Sequence, residues 1–116
     1  MINLLISGAL GRMGKKVYEA CKTSDGISPV CGVDRFEDLS NKDFPVYSCF
    51  AQVKEKIDVI IDFSAPANLP RILDFCLANG TPAVLCATGY SDEDVNAVKK
   101  ASQKVVLTPG RKLEVL

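Results

Sequence analysis

An apolar stretch near the N-terminus runs directly into three closely spaced glycines. Residues Ile2 to Ser7 have the character of a β-strand, and a helical pattern covers Arg12 to Cys21. The glycines between and just inside these elements are Gly8, Gly11 and Gly14. Glycine permits a sharp turn and a close approach of backbone N–H groups to phosphate oxygens, and the start of a helix attracts negative charge. The segment therefore predicts a strand–turn–helix unit that binds a dinucleotide through its pyrophosphate.

Two further features, the spacing of the glycines and the end of the next strand, help to decide whether the turn binds a dinucleotide. The glycines follow G-x-x-G-x-x-G, whereas dinucleotide-binding turns usually follow G-x-G-x-x-G. A second predicted strand ends at Asp34, about 20 residues after the last glycine, where an acid can accept hydrogen bonds from a ribose. The alternative is an ordinary strand-to-helix turn whose glycines only allow tight packing. The position of Asp34 favours dinucleotide binding.

The composition limits the partners that the chain can have. Its 116 residues suffice for one domain with a core, since 47% of them are hydrophobic. Basic and acidic residues number 14 each, and this balance argues against nucleic acid or a membrane surface as a partner. No apolar stretch approaches the ~20 residues of a membrane helix, and the N-terminus enters a strand rather than a signal peptide. We expect a cytoplasmic protein that binds an anionic small molecule locally.

Cysteine and histidine usage argues against several kinds of site. The five cysteines are scattered without C-x-x-C spacing, and the chain contains no histidine. This pattern predicts reduced core thiols, no metal site and no Cys–His catalytic pair within the chain. Cys86 ends a predicted strand, where ligands bind in parallel sheets, so a reactive role is the alternative for that one thiol.

Short apolar runs alternate with helical patterns along the chain, which is typical of repeated strand–helix–strand units. This alternation predicts an α/β fold with a doubly wound parallel sheet of the Rossmann type. The predicted strands cover Ile2 to Ser7, Ser28 to Asp34, Val46 to Tyr47, Val59 to Phe63, Ala83 to Cys86 and Val105 to Thr108. The predicted helices cover Arg12 to Cys21, Cys49 to Lys54, Pro66 to Asn79 and Asp92 to Ser102. Pro70 fits the third helix if the helix proper starts near Leu69.

Two further loops are expected beside the glycine turn, because they follow strands that end at the same edge of the sheet. The first follows an apolar run that contains Asp62, whose carboxylate is expected to accept hydrogen bonds from loop backbone or water. A structural role for Asp62 is favoured over a catalytic one. The second loop, Cys86 to Tyr90, offers a hydroxyl, backbone N–H groups and a glycine, and is expected to border the nicotinamide end of the pocket.

Three motifs together resemble the N-terminal domain of 4-hydroxy-tetrahydrodipicolinate reductase. They are G-x-x-G-R-M-G at Gly8 to Gly14, D-F-S-x-P at Asp62 to Pro66, and a T-G turn at Thr88 and Gly89. The resemblance covers residues 1–109. It implies a domain that binds NADH or NADPH in an enzyme that reduces a cyclic dicarboxylate intermediate of lysine and diaminopimelate synthesis. Where the family has G-T-T-G, this chain has C-A-T-G at Cys86 to Gly89.

The resemblance implies a set of cofactor contacts. Asp34 would accept hydrogen bonds from the adenosine ribose, which favours NADH, whereas Arg35 would stack on adenine or pair with a 2′-phosphate, which favours NADPH. Both cofactors are therefore expected, and the alternative for Arg35 is a solvated loop charge. The cofactor-binding residues implied by position are Gly8, Ala9, Leu10, Gly11, Arg12, Met13, Asp34, Arg35, Ser64, Cys86, Ala87 and Thr88.

The resemblance also implies what lies outside this chain. The family's catalytic histidines and substrate loops belong to a second domain, and this chain has no histidine, so no catalytic residue is assigned here. We expect residues 1–109 to form the cofactor domain, residues 110–116 to be an expression scar or a truncated linker, and the fragment to be inactive alone. The intact protein is expected to be a homotetramer. The alternatives are a non-catalytic dinucleotide-sensing module of the same fold and a fragment whose pocket is too incomplete to bind.

Overall fold

A six-stranded, all-parallel sheet forms the centre of the computed structural model, which describes residues 1–109. The strands lie in the order β3-β2-β1-β4-β5-β6. Their bounds are β1 Ile2–Ser7, β2 Ile27–Val33, β3 Val46–Tyr47, β4 Val59–Asp62, β5 Ala83–Leu85 and β6 Leu107–Pro109. The chain builds the sheet outward from β1 in one direction and then returns to build it in the other. This arrangement confirms the predicted doubly wound fold.

Three α-helices and two 3₁₀ turns connect the strands. The helices are α1 Arg12–Lys22, α2 Leu69–Asn79 and α3 Asp92–Ala101, and the 3₁₀ turns cover Phe50–Gln52 and Pro66–Asn68. Local signals set their ends. Helix α3 begins with a capping box in which the Ser91 hydroxyl accepts from the Asp94 N–H at 3.1 Å. Helix α2 carries Pro70 in its first turn and ends at Gly80 with φ 67°. None of these helices is long and apolar enough to cross a membrane.

Most predicted bounds agree with the structure within one residue, and two elements differ in kind or position. The predicted helix from Cys49 to Lys54 is only a 3₁₀ turn, in which the Gln52 side chain accepts the N–H groups of Ser48 and Cys49. The predicted last strand began at Val105, but the Val105 N–H donates to the Ala101 carbonyl at 3.2 Å. Val105 therefore belongs to the turn after α3, and β6 starts two residues later.

Two hydrophobic clusters cover the two faces of the sheet. Side chains alternate along β1, so Leu5 points into the cluster with α2 and α3, while Leu4 and Ile6 point into the cluster with α1. All three side chains are at most 3% exposed. Burial on both faces fixes the position of β1, whose C-terminal end leads into the glycine turn.

Candidate functional site

A cleft of about 580 Å³ opens at the carboxyl edge of the sheet, next to the end of β1. Strand β1 lies between β2 and β4, so the chain changes direction across the sheet at this point. In open parallel sheets ligands bind at such a switch point. The cleft is lined by residues at the ends of β1, β2 and β4, by the segment that follows β3, and by the start of α2. This is the edge at which the sequence predicted a ligand.

The turn after β1 depends on glycine at position 8. Gly8 has φ +84°, a conformation that side chains with a Cβ rarely adopt. A Cβ at this position would also lie 3.2 Å from the Phe63 carbonyl carbon and the Ser64 nitrogen. The turn is held by the Gly8 N–H, which donates to the Val33 carbonyl at 2.8 Å, and by the Gly11 N–H, which donates to the Gly8 carbonyl at 3.1 Å.

Helix α1 packs against this turn through Gly14. A Cβ on Gly14 would lie 2.8 Å from the Ala9 carbonyl oxygen and closer still to the Gly8 carbonyl oxygen. The sequence predicted that Gly14 brings the helix close to the sheet. The close approach is to the backbone of the glycine turn, so Gly14 sets the position of the first turn of α1 above the cleft.

The backbone donors available to a phosphate lie at the start of α1 rather than in the turn itself. The turn N–H groups already have acceptors within the protein: Gly8 and Ala9 donate to the Val33 carbonyl, and Leu10 donates to Asp34 Oδ2 at 3.0 Å. The N–H groups of Arg12, Met13 and Gly14 have no acceptor among residues 1–109, and the N-cap Gly11 has no side chain to supply one.

The charges at the N-terminal ends of α1 and α3 also indicate that a phosphate would bind at the start of α1. Helix α3 has three acids in its first turn and a serine cap, whereas the first turn of α1 has neither an acid nor a side-chain cap. The positive end of the α1 dipole therefore has no compensating acid within the first turn of the helix itself. A helix start with free donors beside a cleft is suited to binding a phosphate oxygen.

Asp34 holds the glycine turn in place. Its Oδ2 accepts the Leu10 N–H at 3.0 Å, and its Oδ1 accepts the Arg35 N–H at 2.8 Å. Each carboxylate oxygen has two lone pairs, so the half-buried Asp34 retains acceptor capacity toward the cleft. The carboxylate therefore connects β2 to the turn after β1 and can still accept a hydroxyl.

Asp62 organises the second loop of the site. Its side chain is fully buried, and Oδ1 accepts the Ser64 N–H at 3.0 Å and the Ser64 hydroxyl at 2.5 Å. Oδ2 has no hydrogen-bond partner within residues 1–109. The expected hydrogen bond from loop backbone is thus present, and it fixes Ser64, which lines the cleft.

Comparison with known proteins identifies the family. The family described as "Dihydrodipicolinate reductase, N-terminus" matches residues 2–109. The chain belongs to this family. The 4-hydroxy-tetrahydrodipicolinate reductase of Clostridium tetani is 34% identical over 105 residues, and that of Caldanaerobacter subterraneus is 38% identical over 105 residues. Each alignment covers 90% of this chain and 41% of the relative, so the chain spans about two fifths of the curated relatives it matches.

A solved structure agrees with this assignment at the level of the fold. The dipicolinate-bound dihydrodipicolinate reductase from Paenisporosarcina sp. TG-14 superposes with a TM-score of 0.73 at 24% identity. The superposition covers 88% of this chain and 43% of that one. The predicted family is confirmed, and with it the prediction of an NAD(P)H-binding domain. The family match favours this domain over a non-catalytic sensing module.

The structure brings together only part of the set of residues that the family resemblance implies. Those that line the cleft are Gly8, Gly11, Asp34, Arg35 and Ser64. Those that do not line it are Ala9, Leu10, Arg12, Met13, Cys86, Ala87 and Thr88. The last three follow β5, which neighbours β4, and the Cys86 N–H donates to the Asp62 carbonyl at 2.8 Å. They therefore lie at the same edge of the sheet, one strand beyond the cleft.

Several residues of the cleft were missed by the sequence analysis. The segment that follows β3 contributes Ser48, Cys49 and Phe50, and the beginning of α2 contributes Asn68 and Arg71. Ser48, Cys49 and Phe50 could have been predicted, because they follow a strand of the same parallel sheet. Asn68 and Arg71 could not, because only the packing of α2 against the sheet places one turn of that helix beside the cleft.

The cysteines show two environments. Cys31 and Cys76 are fully buried, whereas Cys21, Cys49 and Cys86 are half-buried. Burial raises the pKa of the Cys31 thiol to about 12, with the nearby Glu55 carboxylate adding to the shift, and burial raises the pKa of Cys76 to about 11. These two thiols are therefore protonated and unreactive near neutral pH, as expected for core residues.

Proposed function

We propose that this chain is the cofactor-binding domain of a 4-hydroxy-tetrahydrodipicolinate reductase, the enzyme for which its relatives are named. The observation that carries the proposal is the match of residues 2–109 to the N-terminal domain of that family, together with a cleft at the switch point of the sheet. The bound nicotinamide would supply a hydride to a cyclic dicarboxylate imine. The contribution of this chain would be to bind and orient the dinucleotide.

The available donors suggest how the dinucleotide would lie. The pyrophosphate would accept hydrogen bonds from the N–H groups of Arg12 and Met13 at the positive end of α1. The adenosine would lie toward Asp34 and Arg35, which follow β2. The nicotinamide would extend in the opposite direction across the sheet, toward the loop Cys86 to Thr88.

The chemistry beyond binding is not assigned to residues of this chain. This chain has no histidine, and within the described residues no cluster of His, Cys, Asp or Glu could hold a metal ion. We therefore propose that the chain binds NAD(P)H without turnover when it is alone. A homotetrameric intact enzyme and a cytoplasmic location are further parts of this proposal. The predicted scar or linker at residues 110–116 lies outside the described residues.

Substitution of Gly11 separates nucleotide binding from folding. Gly11 is the N-cap of α1, with φ −78°, and a Cβ there would meet only the Gly8 carbonyl oxygen, at 3.3 Å. Aspartate is a favoured N-cap whose carboxylate accepts the N–H of the second or third helical residue. Gly11→Asp would therefore preserve the helix while its own negative charge occupies the donors proposed for phosphate. Gly11→Ala leaves those donors free and serves as the control.

Calorimetric titration with NADH and NADPH is the test. We expect saturable binding at one site per chain, a loss of at least about tenfold in Gly11→Asp, corresponding to about 1.4 kcal/mol, and a much smaller change in Gly11→Ala. Thermal unfolding should show that Gly11→Asp is at least as stable as the unmodified chain. The proposal is wrong if the folded chain binds neither nucleotide, or if Gly11→Asp binds both with unchanged affinity.

A further inference from the structure

The charged side chains that line the cleft carry a net positive charge, and none of them belongs to the glycine turn, Gly8 to Gly11. The ionised side chains that line it are Asp34, Arg35 and Arg71. The chain as a whole has a formal net charge of zero, so one positive charge in excess at this cleft is a local feature. Within residues 1–109 the single ion pair is Lys22–Glu19, and neither cleft arginine has a carboxylate partner. Unpaired guanidinium groups beside a cleft are suited to a phosphate or carboxylate ligand.

The two arginines reach the cleft from different elements. Helix α2 packs on the segment after β3, on the side where Arg35 lies, with the Phe50 and Phe75 ring centroids 5.6 Å apart. Arg35 follows β2, and Arg71 is in the first turn of α2, which follows β4. Each retains most of its five N–H donors for a ligand. Arg71 Nη1 makes one long hydrogen bond, of 3.4 Å, to Asn68 Oδ1, and the Arg35 guanidinium lies 5.1 Å from the centroid of the Phe36 ring. Cation–π contact leaves the guanidinium N–H groups free to donate.

The carboxylate of Asp34 is bonded to backbone N–H groups and makes no ion pair with Arg71. Both of its oxygens accept backbone N–H groups, one from Leu10 and one from Arg35. These bonds hold the carboxylate against the glycine turn. Arg71 lines the cleft from α2, and the hydrogen bonds of Asp34 do not involve it. Within the described residues no acid forms an ion pair with the Arg71 guanidinium, so this group can pair with an anionic ligand.

The geometry points to Arg71 as a second cation, acting with Arg35, for the 2′-phosphate on the adenosine ribose of NADPH. This inference rests on the proposed function, because it assumes that the adenosine half of a dinucleotide lies in this part of the cleft. NADH lacks the 2′-phosphate, so Arg71 distinguishes the two nucleotides and gives the chain a preference for NADPH. Arg71 is in this role a specificity-determining residue and has no part in hydride transfer.

The test compares the two nucleotides in matched variants. Arg71→Ala removes the proposed contact, and Lys99→Ala removes one exposed positive charge from α3, outside the cleft. Affinities for NADPH, NADH and the fragment adenosine 2′,5′-bisphosphate are measured by calorimetry at low and at near-physiological salt. Thermal unfolding of each variant confirms that it is folded. Both positions are exposed, so neither substitution is expected to disturb the core.

The expected result is a loss in Arg71→Ala that is confined to the 2′-phosphorylated ligands. A charge-assisted contact of this kind predicts about a tenfold to hundredfold loss for NADPH and for the bisphosphate. NADH affinity should change less than about threefold, and the NADPH preference should shrink as salt is raised. Lys99→Ala should leave the ratio of the two affinities unchanged.

Two other outcomes would count against different parts of the account. If both nucleotides bind but Arg71→Ala leaves the ratio of NADPH to NADH affinity unchanged, the assignment of Arg71 is wrong and the proposed function stands. If the folded chain binds none of the three ligands, the proposed function fails and the inference fails with it.

Discussion

Replacing Gly14 by alanine tests the packing of α1 on the glycine turn. The new Cβ would lie 2.8 Å from the Ala9 carbonyl oxygen, against an ordinary contact distance of at least 3.4 Å, and closer still to the Gly8 carbonyl oxygen. The helix and the turn would have to separate by more than about 0.6 Å, since both neighbours are backbone atoms that no rotamer change can move. Overpacking of this kind costs about 1–3 kcal/mol.

The helix propensity of alanine opposes that cost. Alanine is better than glycine by up to about 1 kcal/mol inside a helix. Both close contacts are with backbone atoms, so we take the upper part of the overpacking range, about 2–3 kcal/mol. Less the gain in propensity, Gly14→Ala should lower the free energy of unfolding by about 1–2 kcal/mol, or Tm by about 5–15 °C. It should also weaken nucleotide binding, because the N–H groups of Arg12 and Met13 move away from the cleft.

The assay is urea unfolding, together with NADH titration. Gly11→Ala is the matched control in the same turn, because its Cβ would meet one atom at 3.3 Å and its backbone is unstrained. The control should lower stability by no more than about 1 kcal/mol, because alanine is a poorer N-cap than glycine. If the Gly14→Ala chain is as stable as the unmodified chain and binds NADH with the same affinity, these close contacts do not hold α1 against the glycine turn.

Three other changes follow from local contacts. Ser91→Ala removes the cap of α3 and should lower the unfolding free energy by about 0.5–2 kcal/mol in urea, with no change in NADH affinity. Asp62→Ala leaves the half-buried Ser64 N–H and hydroxyl without their acceptor and should cost about 1–3 kcal/mol by the same assay; a neutral result would show that these bonds are not needed. The thiols of Cys31 and Cys76 have pKa values raised from 9.0 to about 12 and about 11. The folded state thus keeps protons that the unfolded chain loses above about pH 9, so stability should fall by roughly 1 kcal/mol for each thiol between pH 8 and pH 10, and a flat profile would contradict this.

The sequence alone predicted the features that depend on local chemistry or on the strand order. The start of α2 at Leu69 follows from two prolines, because Pro70 fits only a first turn. The placement of Asp34 beside the glycine turn follows from the parallel topology, which brings the ends of β1 and β2 together. Such features depend on residues close in sequence or on a strand order that the alternation of elements predicts.

Other features depend on packing between distant segments and could not be predicted. Gly14 contacts the glycine turn rather than the sheet, which depends on the exact angle of α1. Arg71 reaches the cleft only because α2 begins beside the end of β4 and one turn of it lies over the edge of the sheet. The sixth strand starts later than predicted because Val105 closes the turn after α3. In each case the sequence pattern identified the helix or strand but not the segments that it contacts in the folded chain.

The most direct test of the account is to map where a dinucleotide touches the chain. Backbone amide signals of the ¹⁵N-labelled chain would be followed by nuclear magnetic resonance during titration with NADH. We expect the largest shifts at the amides of Arg12, Met13 and Gly14, and smaller ones at Asp34 and Arg35. Shifts concentrated in the groove between α2 and α3, around Leu73 and Lys100, or no shifts in a well-folded spectrum, would contradict it.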